Sequence, residues 1–309
     1  MSARLSSRDA LLVLAVVTIW GFAFVPMRWA LDTVPPFALA ALRFLCAAVP
    51  AVFFVRRPDV SWGALVAYGL AIGVFQFGLL FLGLRLGMPA GLSSLVIQMQ
   101  AFFTILLAAW WLHDRLTLHS IVGAAIAGAG LAVLGAHKVM SGVGATAIGF
   151  ALVIAAALSW AIANIIAKVA GRDSLGNDRG VDMFAMVVWS SVAAPLPLFV
   201  ASYLFEGGPA AVAAVRDMTW QPWACVLFMS YFATLFGLAA WNALLHRYPT
   251  AVIAPFALLI PVSGLASGWA FLGEGLAPIQ AAGVALVLAG LAWNVFGARG
   301  AAWIAAALD

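Results

Sequence analysis

Apolar residues fill this chain in long runs of about 20 positions, each closed by a charge, a proline or a glycine. Barrel strands alternate apolar and polar positions, and these runs do not, so the pattern predicts membrane-spanning α-helices whose backbone amides are satisfied within each segment. The spans are predicted near 10–31, 36–55, 62–86, 89–112, 119–137, 147–170, 181–204, 222–246, 249–271 and 277–297. The expected fold class is an all-α membrane protein of ten transmembrane helices.

The pattern repeats. The stretch PAGLSSLVIQMQAFFTILLAAWWLHDRLTLHSIVGAAIAGAGLA from Pro89 lies ungapped on PTAVIAPFALLIPVSGLASGWAFLGEGLAPIQAAGVALVLAGLA from Pro249. The shift of 160 pairs Leu112 with Leu272, Asp114 with Glu274, Gly123 with Gly283 and Gly130 with Gly290. A shift of 140 pairs Trp20 with Trp160, Ala23 with Ala163 and Arg28 with Lys168. Each half then holds five spans. Five is odd, so the second half enters the membrane from the opposite side and the halves are inverted-topology repeats, an arrangement characteristic of transporters. The expected organisation is 1–138 for the first repeat, 147–298 for the second and 299–309 for a cytoplasmic tail.

Composition agrees with a lipid environment: 66% of the residues are hydrophobic and 8% charged, too few polar groups to coat a water-soluble surface. The net charge of +4 is scattered over short connections and forms no continuous basic face, which argues against nucleic acid as a partner. Cys46 and Cys225 have neither disulfide nor zinc spacing. His113, His119, His137 and His246 fall at helix ends with no cluster of ligands, and no phosphate-cradling glycine loop is present. No metal, cofactor or enzyme activity is expected, and the chain is read as a monomer among membrane lipids. The basic N-terminus leads into a retained first helix, because Pro26, Arg28 and Trp29 stand where a cleavage site needs small residues. Ten basic residues lie in connections on the N-terminal side and four on the other. This predicts a cell inner-membrane protein with both termini in the cytoplasm.

All eleven acids fall in loops or at helix ends, so coupling to protons through a buried carboxylate has no support and uncoupled facilitation or exchange is expected. Arg43 is the exception among the bases, seven residues into the second span. Either it meets a substrate carboxylate, or it snorkels to the interface or bonds neighbouring carbonyls. Arg28 and Lys168 close equivalent ends of spans 1 and 6, as anchors or gates. Neutral polar groups at mid-depth form the candidate binding set: Gln76, Ser94, Gln98, Gln100, Ser159, Asn164, Tyr231, Thr234, Asn242 and Ser263. Amides both donate and accept, and so can hold a zwitterion or a heterocycle without a fixed charge. Interhelical packing bonds are the plainer alternative for each one. Trp20, Phe75 and Trp160 lie at similar depth and could line a cavity for an apolar or aromatic body, or pack in the core. Pro26, Pro255 and Pro261 each remove a backbone donor and free a carbonyl four residues earlier, which predicts helix breaks. Glycine pairs at 69/73, 264/268, 123/130 and 283/290 are spaced for close helix contact.

VVTIWGFAFVPMRWAL, ALRF, LHDRL, FLGEGL and the glycine pairs after them resemble the EamA family of the drug/metabolite transporter superfamily, and more narrowly its YddG-type exporters of aromatic amino acids. The resemblance runs from about Leu11 to Phe296. It implies the ten-helix inverted-repeat fold and a cavity among helices 1, 3, 4, 6, 8 and 9, with a small-molecule substrate. One departure stands out: Ala101 occupies the position of Pro261, so the break that the resemblance implies for helix 4 is expected to be missing, with Gln100 shaping the site instead. The functional expectation is export of aromatic or large apolar amino acids by alternating access. Efflux of drugs or nucleobase-like metabolites, and a receptor or assembly protein without transport, are the alternatives.

Overall fold

The computed structural model describes residues 6–114, 116–140, 144–173, 182–248 and 250–308. Among them every regular element is helical. Nine helices among the described residues are long and apolar enough to cross a membrane: α1 (Ser7–Ala30), α3 (Trp62–Arg85), α4 (Ala90–Leu112), α5 (Leu118–His137), α6 (Ala147–Gly171), α7 (Met183–Phe205), α8 (Trp220–Arg247), α9 (Pro255–Leu272) and α10 (Pro278–Phe296). Between α1 and α3 stands α2 (Pro36–Ala51), apolar but 16 residues long. At 1.5 Å per residue it spans roughly 24 Å, less than the hydrocarbon core. The sequence pattern extended this span to 55, but Pro50 lies in its last turn and the helix stops at Ala51. The helix that begins at Pro278 continues to Leu308, through the segment read from sequence as a tail. The outer surface carries large apolar side chains such as Phe54, Trp110, Trp220 and Trp269, each more than two-thirds exposed, as a face turned to lipid does.

Helix starts follow local chemistry. Ser6 and Ser61 accept from Asp9 N and Ala64 N at 3.1 Å, and Asp182 accepts from Phe184 N and Ala185 N, so the first amides of α1, α3 and α7 are capped. Two helix starts are capped by distant residues instead. Glu274 accepts from Ala90 N at 2.6 Å and Gly91 N at 2.7 Å, and Glu206 from Phe37 N at 2.8 Å. A carboxylate there meets both the orphan N–H groups and the positive end of the helix dipole.

The sequence repeat returns as repeated backbone geometry. α4 ends on left-handed His113 (φ 55°) and α9 on left-handed Gly273 (φ 66°). The following N–H reaches back six residues in both, Asp114 N to Ala108 O and Glu274 N to Gly268 O, one residue further than a Schellman bond, in a wide closure that a left-handed residue permits. α3 and α8 contain π-helical turns, Leu70–Phe77 and Phe228–Phe236. α4 and α9 contain 3₁₀ turns, Ile97–Met99 and Ala254–Leu258. The break in α4 corrects the expectation of an unbroken helix: it forms without a proline. α1 is interrupted at Ala23, between helical segments Ser7–Phe22 and Phe24–Ala30, three residues before Pro26.

Glycines set the closest helix approaches. A Cβ on Gly123 would meet Gly290 O at 2.9 Å, and one on Gly130 would meet Gly283 O at 2.7 Å. As one number rises the other falls, so α5 and α10 cross antiparallel with each glycine against the repeat mate of the other. Gly69 and Gly73 let α3 onto Ser190 and Ala194 of α7, and Gly264 lets α9 onto Ser94 of α4. α1 runs along α9, with Val13 in the cluster of Ile253 and Thr18 and Gly21 against Ser263.

Candidate functional site

The discontinuities in α3, α4, α8 and α9 gather the polar groups. A π turn breaks the regular i to i−4 ladder, and carbonyls there take side-chain donors. Trp20 of α1 donates its Nε1–H to Ala233 O in the π turn of α8 at 2.7 Å, and Ser159 of α6 donates to Ala71 O in the π turn of α3 at 2.8 Å. The contact is thus made twice. Sequence pairing put Trp160 opposite Trp20, but the hydroxyl one residue earlier does the work in the second copy. Trp160 is half-buried and packs against the core.

The proline of α9 acts in the same way. Pro261 cannot donate to Ala257 O, and Gln98 of α4 offers its Nε2 to that carbonyl at 3.5 Å. Ser94 donates to Gly91 O at 2.6 Å and stands 3.5 Å from Pro261 O. Pro255 opens the 3₁₀ turn of α9 and Pro26 is buried in the second segment of α1.

Gln100 and Asn164 form a direct bridge between α4 and α6. Asn164 Nδ2 donates to Gln100 Oε1 at 2.7 Å and to Thr104 Oγ1 at 3.0 Å, while the Thr104 hydroxyl donates to Gln100 O at 2.7 Å. Thr104 was missed by sequence reasoning, although it lies one turn from Gln100. Gln76 differs from both other amides: it is 2% exposed and makes no hydrogen bond among the described residues. Ser263 donates to Thr18 O at 3.2 Å, which ties α9 to α1. Asn242 is half-buried, with no hydrogen bond among the described residues. Phe75 and Tyr231 are 56% and 38% exposed, so neither lies in the packed interior. No candidate lines the surface recess of about 350 Å³ bounded by Thr33, Ala210 and Met218.

Among the described residues Arg43 is the one charged side chain that is buried, at 6% exposure. The interfacial snorkel is therefore not its conformation. Its guanidinium stacks on Phe77 with 3.7 Å to the ring centroid and donates from Nη2 to Thr234 Oγ1 at 3.1 Å. Thr234 in turn donates to Met229 O at 2.9 Å, and Ser230 donates to Arg43 O at 2.9 Å. Among the described residues Arg43 Nε and Nη1 have no hydrogen-bond partner, and each buried orphan donor costs about 1–3 kcal/mol. The cation–π contact offsets part of that.

Arg28 and Lys168 are repeat mates with different partners. Arg28 pairs with Asp32 one turn away at 2.5 Å, while Lys168 at the end of α6 pairs with Asp114 at the end of α4. The first contact is local and exposed. The second joins the two halves of the chain.

A family model describing EamA-like transporters matches this chain twice, over residues 8–136 and 147–296. The chain belongs to the EamA-like transporter family. The transporter is 42% identical to a Salmonella typhimurium protein named probable amino-acid metabolite efflux pump, over 96% of this chain and 97% of that one. An Escherichia coli protein of the same name is 39% identical, with the same coverage. A Streptantibioticus cattleyicolor protein named probable terminal-alkyne amino-acid exporter is 28% identical over 93% of both chains. A solved protein structure at 19% identity shares the transporter's fold with a TM-score of 0.61, covering 96% of this chain and 99% of its own.

Proposed function

We propose that this transporter exports amino acids, aromatic or large apolar ones, from the cytoplasm across the inner membrane. Its ten helices work as two inverted five-helix halves that rock about a shared mid-depth site and expose it alternately to each face. Both termini are cytoplasmic. The names of the relatives from Salmonella typhimurium, Escherichia coli and Streptantibioticus cattleyicolor support amino-acid export as the class. The observation that carries the mechanism is the doubled contact, Trp20 on the π turn of α8 and Ser159 on the π turn of α3. A π turn can shift its extra residue along a helix at little cost in hydrogen bonds. Two such turns in matched places provide the bistable elements that alternating access needs.

Gln76, Gln98 and Gln100 are the polar contacts of the site. Trp20, Phe24, Phe77 and Trp160 supply apolar walls, and Lys168 with Asp114 closes the cytoplasmic side. Counterflow of labelled tryptophan in liposomes is the test. Uptake above that of empty liposomes is expected, with a loss of at least fivefold for Gln76→Ala or Gln98→Ala; unaltered flux in these and in Gln100→Ala removes the amide site. Flux that persists after a pH gradient is collapsed supports uncoupled transport, as the absence of a buried acid among the described residues suggests.

A further inference from the structure

We propose that Arg43 is the anchor for the substrate's carboxylate, so that the transporter selects an anionic carboxylate on an apolar body and tolerates loss of the amino group. This inference rests on the export reading and narrows it. A guanidinium is charged at any physiological pH and presents five N–H donors in a planar fork. In Arg43 one of them goes to Thr234, and the atoms left over, Nε and Nη1, carry three. No carboxylate pairs with Arg43 among the described residues, whereas Arg28 pairs with Asp32, Lys168 with Asp114, Arg216 with Asp217 and Arg247 with Asp9. A buried cation that serves only the fold is expected to have its donors filled. This one is short of an acceptor with two oxygens and one negative charge.

Its place in the fold fits that role. Phe77, under the guanidinium, closes the π turn of α3, and Thr234, its hydrogen-bond partner, lies within the π turn of α8. Arg43 therefore touches both of the turns that are proposed to move. A carboxylate arriving at Nε and Nη1 satisfies donors that are orphaned without it, and so favours the loaded arrangement over the empty one. The other end of an amino acid finds no matching charge. No acid is buried among the described residues, so an ammonium group meets neutral acceptors only and contributes less.

The experiment uses the purified full-length protein, with inhibition of tryptophan counterflow and ligand protection against thermal unfolding as readouts. The probes are tryptophan, indole-3-propionate, tryptophan methyl ester and tryptamine. Tryptophan and indole-3-propionate are expected to bind at similar concentration, and the ester and the amine at least tenfold more weakly. Arg43→Gln is expected to bring the acid-to-ester ratio close to one, and Arg43→Lys to keep part of it. If Arg43 only supports the fold, Arg43→Gln lowers stability and leaves the ratio unchanged, which overturns the proposal. Should Arg43→Gln fail to fold, the wild-type ratio still decides, because equal binding of tryptophan and its methyl ester overturns the proposal alone. Protection by indole-3-propionate with none by any of the twenty amino acids sinks amino-acid export but keeps the carboxylate anchor. Protection by none of the carboxylates sinks both.

Discussion

At the residue scale, the polar side chains separate into those that hold helices together and those with donors or acceptors to spare. Asn164 belongs to the first kind, with two bonds to α4 at 2.7 and 3.0 Å. Asn164→Ala is expected to destabilise the transporter by about 0.6–1.7 kcal/mol, from the average to the largest value for interhelical bonds in membranes, as read by thermal unfolding in detergent. Gln76 belongs to the second kind. Gln76→Met keeps its volume and loses no hydrogen bond, so unfolding temperature should hold or rise while tryptophan flux falls; a drop in both marks it as structural. Glu274 is a structural acid, since its carboxylate holds two amides of α4. Glu274→Ala leaves both amides uncapped and should cost about 2 kcal/mol or more by the same measurement. The carboxylate's role was not legible in sequence. Glu274 reads as a loop acid, and its partners lie 183 and 184 positions away.

At the element scale, backbone irregularity is what distinguishes this bundle from a set of straight rods. Pro261 explains one break by chemistry visible in the sequence, and Pro261→Ala is expected to return a donor to Ala257 O, straighten α9 and slow counterflow while raising stability. The two π turns have no such signature. Neither LAIGVFQF nor FMSYFATLF contains a proline, and each turn is set by what reaches it from another helix. Packing of α5 on α10 is the opposite case, because its glycine spacing was readable in the chain. Gly290 lies 2.6 Å from Ala127 N and Gly123 O as seen by an added Cβ, so Gly290→Val should abolish folded protein on size exclusion. Gly128 has nothing within 4 Å of that position, and Gly128→Ala should be neutral or stabilising by up to about 1 kcal/mol.

At the scale of the whole molecule, the antiparallel crossing of α5 with α10 and the parallel run of α1 with α9 set the sense of the chain. If both termini are cytoplasmic, the α2–α3 connection faces the cytoplasm and the α7–α8 connection faces outside. Cysteine labelling tests this in a chain with Cys46 and Cys225 replaced by alanine. Phe54→Cys should react with an impermeant maleimide only in inside-out vesicles, and Asp217→Cys only in intact cells. Labelling of both from one side defeats the inverted arrangement of the halves.

What the sequence determined by itself is the medium, the approximate spans and the internal repeat, because length and hydrophobicity act locally and a shift of 160 can be read without a fold. It also singled out Arg43, whose position deep in an apolar run is unusual in any structure. What only the tertiary structure decided is which donors find acceptors. Gln100 and Asn164 are 64 positions apart, Arg43 and Thr234 are 191, and Trp20 and Ala233 are 213. In lipid, no water is at hand to satisfy a freed carbonyl or an unused amide, so each polar group takes its meaning from whichever helix is packed beside it, and that neighbour is chosen by the fold.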